Sequence, residues 1–187
     1  MPNSNDYHFN TYWLLEATEE EVFNILNKPS QLSRWWPAVY LDVEVIEEGP
    51  VEGMKQLVNV FTKGFLPYTI KWSFRSTRKV FPQRLELEAF GDLEGKGIWT
   101  IKQKSDSKYC EVHYDWRIKA EKPLFRNFSF ILKPIFEFNH EWAMHRGEKS
   151  IKLELLRQRA SNEEEQSKIG RPPGPTFPHN FLKNKVF

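Results

Sequence analysis

The chain is poor in the features that mark several large classes of protein. Cysteine occurs once in 187 residues, at Cys110. A single thiol cannot form an intramolecular disulfide, which fits a reducing compartment and gives a cytoplasmic protein as the expectation. No apolar run approaches the roughly 20 residues of a spanning helix, so no membrane span is expected. The opening stretch, MPNSNDYHFN, is polar and lacks a cationic segment followed by an apolar one, so no signal peptide is expected. Neither sign of charge dominates: 27 basic residues stand against 25 acidic ones, without a long basic cluster. That balance gives no footing for a nucleic-acid partner. What the chain does have is aromatic surface, with 7 Trp, 6 Tyr and 15 Phe. Such side chains supply large buried area and also line apolar pockets. The length suits one domain with a sizeable core.

Two near-motifs exclude more than they offer. His140-Glu141-Trp142-Ala143-Met144-His145 is one residue longer than the zinc-protease pattern H-E-x-x-H. Histidines at i and i+4 lie about 40° apart on a helix, but i and i+5 are about 140° apart. Both imidazoles therefore cannot reach one tetrahedral ion from a regular helix. No metal and no cofactor are expected. Gly95-x-Gly97 is followed neither by Gly-Lys-Ser/Thr nor by a helix, and reads as a hairpin rather than a phosphate loop.

Periodicity sets the elements. Tyr7–Ala17 alternates as a strand, with Phe9, Thr11, Trp13 and Leu15 on one face. Thr18-x-x-Glu21 is a capping box that opens a helix carrying Val22, Phe23, Ile25 and Leu26. SQLSRWW is a second short helix, closed before Pro37. Six strands follow, joined by short turns. Within them Ile70, Trp72 and Phe74 alternate with polar residues, as do Leu85, Leu87 and Ala89, and then Val112, Tyr114, Trp116 and Ile118. Clean alternation means an antiparallel meander with one covered and one wet face. His113 and Asp115 resemble an acid–base pair, yet they share the wet face.

A last helix starts at Pro123 by its composition. Pro134 is expected to kink or break it, and from Pro134 to Arg159 it would run about 39 Å. Gly147 on its inner face would let the backbone approach the sheet closely. After Ala160, SNEEEQSKIG reads as a polar linker and Glu163–Glu165 as a solvated run. RPPGPTFPHNFLKNKVF reads as a non-helical, proline-rich arm. Its Phe177, Phe181, Leu182, Val186 and Phe187 suit docking into apolar grooves, and the tail offers a route to a homodimer.

In combination, several short stretches resemble one superfamily. They are ATEEEVF after the first strand, WWP at Trp35–Pro37, G-x-G-x-W at Gly95–Trp99, YDW at Tyr114–Trp116, Lys122-Pro123, and NHEWAMHRGE at Asn139–Glu148. The chain resembles the START-like polyketide cyclase/dehydrase (SRPBCC) superfamily, in its bacterial cyclase-like branch, over about residues 7–157. The resemblance implies an α+β helix-grip fold, β-α-α-β6-α, in which a curved antiparallel sheet wraps a long C-terminal helix. Domain limits follow as 1–160 for the helix-grip unit and 161–187 for the proline-rich tail. An internal cavity is also implied, and no catalytic motif is. Members include ligand carriers and ring-closing enzymes, so the fold alone does not give the activity.

The expected site joins both readings. Trp13, Trp72, Phe74, Leu87, Trp99, Tyr114 and Trp116 would face a ligand from the sheet, and Asn139 and His140 from the helix. One function fits the aromatic face directly: binding of a hydrophobic small molecule, lipid- or polyketide-like. A second is a cyclase/dehydrase-type enzyme with His140 as general acid or base. A third is an interaction module whose pocket is filled. His140 is expected to be more buried than His145.

Overall fold

The computed structural model describes residues 6–49, 55–105, 107–120 and 129–176. The elements run β1 (Asp6–Glu16), α1 (Glu19–Leu26), a 3-10 turn (Pro29–Gln31), α2 (Leu32–Trp35), β2 (Tyr40–Glu47), β3 (Leu57–Lys63), β4 (Thr69–Val80), β5 (Arg84–Gly91), β6 (Leu93–Gln103) and β7 (Tyr109–Ala120). Two helices follow, α3 (Ser129–Arg159) and α4 (Glu163–Lys168). This is the expected helix-grip order, and α4 is an addition to it.

The sheet is antiparallel throughout, in the order β1-β7-β6-β5-β4-β3-β2. β2 to β7 form the meander, and β1 returns to pair along β7 from Asp6↔Lys119 to Glu16↔Tyr109. Because side chains alternate across a strand, this register puts Trp13, Val112, Tyr114, Trp116, Trp72 and Phe74 on one curved face. The opposite face carries His113, which bonds Asn10 Oδ1 at 2.9 Å. It also carries Asp115, held below the usual carboxylate range by the Arg117 hydrogen bonds at 3.0 and 2.9 Å. These groups are tied to surface partners and lie away from the core.

The Thr18 capping box forms as expected. Thr18 Oγ1 accepts from the Glu21 amide at 3.3 Å, and the Glu21 carboxylate accepts from the Thr18 amide at 2.9 Å. Glu21 also takes a two-pronged contact from Arg159 at 2.7 and 2.8 Å, so the start of α1 is pinned to the end of α3. Just inside that end, Ile151 and Leu155 are buried, each contributing about 1.5–3 kcal/mol by area. Glu154 is only 2% exposed and receives both arms of Arg34 from α2. The C-terminal half of α3 is thus built into the core. Its N-terminal half is not: Lys133, Pro134, Ile135, Glu137 and Phe138 are exposed.

Three expectations need correction, and a fourth, a helix kinked or broken at Pro134, needs it in its second half: α3 does not break there. Proline at this position removes one amide donor, and the helix continues past it to Arg159. Gly147 is pressed against the Trp36 indole at the end of α2, not against the sheet. Gly95 and Gly97 lie inside β6, while the turn sits at Asp92. A side chain at 95 would meet the Arg117 carbonyl, and one at 97 would meet the Tyr114 hydroxyl and the Trp116 ring. Finally, the stretch read as a polar linker holds α4. Asn162 caps it by accepting from the Glu165 amide at 2.9 Å, and Glu164 pairs with Lys168 across one turn.

Beyond α4 the chain is non-helical through Thr176. Arg157 donates to the Gly170 carbonyl, and the Thr176 hydroxyl donates to the Phe65 carbonyl at 3.0 Å. The arm therefore runs back along α3 to the β3–β4 loop. The start of the last helix at Pro123 and the docking of Phe177, Phe181, Leu182, Val186 and Phe187 lie outside the described residues.

Candidate functional site

A cavity lies between the sheet and the exposed half of α3. About 140 Å³ of it is open to the centre of a water molecule, room for about ten waters. β1 contributes Phe9, β4 Ile70 and Trp72, β6 Trp99, and β7 Tyr114, Trp116 and Ile118. α3 contributes Phe136, Asn139, His140, Ala143 and Met144, and the α2–β2 corner adds Trp36, Val39 and Tyr40. The floor is a slab of rings. Tyr114 stacks on Trp99 at 3.9 Å and on Trp116 at 5.6 Å, and Trp72 leans on Trp116 at 5.7 Å. A second, smaller chamber of about 60 Å³ shares Trp36, Tyr40, Trp72, Trp99 and Tyr114 with the first.

The sequence candidates fall into three groups. Trp72, Trp99, Tyr114, Trp116, Asn139 and His140 come together around the main cavity. Phe74 and Leu87 line the second chamber instead, one step further along the sheet. Trp13 lines neither chamber. It is buried behind the wall, edge-on to Trp36 at 5.8 Å and tilted on Trp99 at 5.2 Å. Strand parity fixes the face of a residue but not its depth beneath the helix, so Trp13 has the right face and the wrong level.

Sequence reasoning misses Trp36, Tyr40, Thr62 and Phe136 as site residues. It also misses Tyr7, at the near end of the β1 face. Tyr7 continues the Phe9–Leu15 parity, a signal sufficient to find it. Trp36 and Tyr40 leave a short helix through a turn, where no period applies.

The polar groups differ in what they are free to do. His140 stacks on Phe9 at 4.2 Å and shares a hydrogen bond of 3.2 Å with the Thr11 hydroxyl, its direction following the imidazole tautomer. Burial pushes its pKa down to about 4, so it is neutral at pH 7. His145 is exposed on the far side of the helix, as expected. Asn139 is committed: its Oδ1 accepts from the Leu66 amide at 3.2 Å, and Gly64 has no room for a side chain beside it. Thr62 Oγ1 accepts from the Trp72 indole at 3.0 Å. Among the described residues of the main cavity there is no carboxylate.

The His140 shift has a testable sign. Below its ordinary pKa of about 6.5 the unfolded chain takes up a proton that the folded chain refuses until about pH 4. Stability should therefore fall as pH drops from about 6.5 toward 4, by about 1–2 kcal/mol between pH 7 and 5 through this residue alone. Urea denaturation of the wild type and of His140→Gln at both pH values checks this. An unchanged slope in the variant would refute it.

The fold has known counterparts. The family described as polyketide cyclase / dehydrase and lipid transport matches residues 15–147 by its sequence profile. By sequence, no curated protein matches the chain. By structure, it is similar to a protein of Thermus thermophilus, with a TM-score of 0.66, 13% identity and coverage of 82% of this chain and 100% of that one. The Zhui aromatase/cyclase of Streptomyces sp. R1128 follows at 0.64, 14% identity and coverage of 83% and 97%. A START superfamily protein of Mycobacterium smegmatis reaches 0.66 at 7% identity, covering 81% and 98%. At such identities the likeness is one of fold. The profile spans most of the sheet, the cavity floor and α3 as far as Gly147, and on that ground the chain belongs to the polyketide cyclase/dehydrase and lipid transport family.

Proposed function

We propose that the protein binds an apolar small molecule, lipid- or polyketide-like, in the cavity between the sheet and α3. One observation carries this reading: a space for about ten water-sized units is walled mainly by aromatic rings. Carriage is favoured over catalysis by the state of the two polar groups that α3 presents, His140 and Asn139. A histidine with a pKa of about 4 is a weak base at neutral pH, and Asn139 is already bonded to the β3–β4 loop. No carboxylate among the described lining residues could partner His140. The open volume also speaks against a pocket filled by the chain's own side chains. No helix of the described residues is long and apolar enough to cross a membrane, which accords with a cargo held inside the protein.

Ala143 faces the cavity from α3, so Ala143→Phe should fill it from a position that is not in the core cluster. Native mass spectrometry of the purified wild type should show a retained apolar molecule, and N-phenyl-1-naphthylamine should bind saturably. Both should be lost in Ala143→Phe, with a melting temperature within a few degrees of wild type. Absence of both in the wild type, or equal binding by the filled variant, would overturn the reading.

A further inference from the structure

The junction of the two chambers holds two phenols that the proposed carrier role leaves unexplained. Tyr40, from the start of β2, and Tyr114, from the middle of β7, each line both chambers. They come from strands far apart in the sheet order, brought to one cavity by its curvature. Tyr114 is 7% exposed, and its hydroxyl sits over Gly97, where a Cβ would be 2.6 Å away. Glycine at 97 therefore clears the seat of that hydroxyl. Among the described residues, no protein group hydrogen-bonds either hydroxyl. Unlike the Tyr7 hydroxyl, neither is sealed off as a buried, unpartnered atom. Both border the empty space.

A buried hydroxyl without a partner is costly, so an unpaired donor beside a cavity is a place for an acceptor to arrive. Burial raises both phenols above their ordinary pKa, and the nearby Tyr40 adds to the cost of ionising Tyr114. Both therefore remain O–H donors at any ordinary pH. Trp99 stacked on Tyr114 and Trp36 edge-on to Tyr40 at 5.3 Å flank the pair with flat ring surface. A ligand placing an oxygen between the hydroxyls would lay its own plane against these rings.

We propose that Tyr40 and Tyr114 form a two-donor clamp for the acceptor oxygen of a flat, unsaturated ligand, a conjugated ketone or a phenolate. The proposal rests on the cavity being a ligand site and narrows what that site takes. A saturated hydrocarbon or an unconjugated chain would leave both hydroxyls unpaired. A molecule with one conjugated oxygen would satisfy them together.

The experiment uses two probes of nearly equal shape, 2-acetylnaphthalene and 2-ethylnaphthalene, with the full-length protein. The wild type should bind the ketone about tenfold or more tightly than the hydrocarbon, and the bound carbonyl stretch should shift well below its position in hexane. Tyr40→Phe and Tyr114→Phe should each weaken ketone binding about three- to tenfold and leave the hydrocarbon unchanged, because each removes one neutral hydrogen bond. Equal binding of both probes with no change in the variants would overturn the clamp and leave the carrier reading standing. Failure of both probes to bind would overturn both. Should a variant fail to fold, an unshifted carbonyl stretch in the wild type would by itself refute the clamp.

Discussion

Replacing Gly147 should be among the most damaging single changes the protein can undergo. A Cβ at this position would lie 2.3 Å from Trp36 Cζ2, 2.6 Å from Cε2 and 2.7 Å from Cη2. The indole is 3% exposed and held by Trp13, Trp35 and Tyr40 at 5.8, 5.4 and 5.3 Å, so it can yield only toward the chambers it walls, at the expense of those ring contacts. Alanine would gain up to about 1 kcal/mol of helix propensity. Overpacking of this severity should exceed that gain, giving a net loss of about 2–3 kcal/mol for Gly147→Ala and about 4 kcal/mol or more for Gly147→Val. The second figure approaches the whole stability of many domains. Because Trp36 is also a wall of both chambers, the alanine variant should bind N-phenyl-1-naphthylamine more weakly as well. Urea denaturation reads the first effect and probe titration the second. A midpoint for Gly147→Ala at or above wild type would contradict the packing described.

Removing Arg34 should be nearly as harmful. Its guanidinium holds Glu154 at 2.9 and 2.6 Å, and Gln158 adds a third hydrogen bond at 3.1 Å. Burial alone would raise the Glu154 carboxyl, but the Arg34 and Gln158 bonds and the nearby arginine charges hold it below the usual carboxylate range. Arg34→Met would leave a carboxylate with 2% exposure facing an apolar side chain, at a cost of about 3 kcal/mol. Half of Arg34 is open to solvent, which keeps the figure at the lower end of the range for such pairs.

The sign of the pH dependence follows. In the wild type the contribution of Glu154 is fully present above about pH 4.5 and is lost as pH falls through its depressed folded value. In the variant the carboxyl is protonated more easily, so the gap between the two proteins should be widest at pH 7 and shrink toward pH 4. Chemical denaturation at both values tests this, and Arg34→Met with Glu154→Leu should recover most of the loss. A gap that is the same at both pH values would argue against a charge effect.

How far such features can be read from sequence depends on whether they are local. The Thr18 capping box and the inward set Val112, Tyr114 and Trp116 follow from spacing alone, and the structure bears them out. The positions of Trp13, Phe74 and Leu87 relative to the cavity do not, because alternation says which side of a sheet a residue takes and nothing about what lies above it. Tyr40 is invisible for a related reason. Tyr114, which lines the same two chambers, is 74 residues away in sequence, and the curvature of the sheet brings the two to one cavity. Gly147 is legible as a point of close approach, but what approaches it is an indole from α2, which no periodicity could name. The cap of α4 at Asn162 is legible in principle, since Asn followed three residues later by Glu is a helix-start pattern, but the acidic run masks it.

The two halves of α3 are held by different means. Between Met144 and Arg159 it is clamped by Trp36, by Arg34 and by the Glu21 contact. Ahead of Met144 it covers the cavity with an exposed upper side. Its inner side is held there by the Asn139 and His140 hydrogen bonds and by ring contacts of Phe136 with Tyr7, Phe138 with Phe65 and His140 with Phe9. Loosening those contacts is a local event that leaves the packing of the clamped section intact. The roof of the cavity and the stability of the domain are thus set by different stretches of one helix.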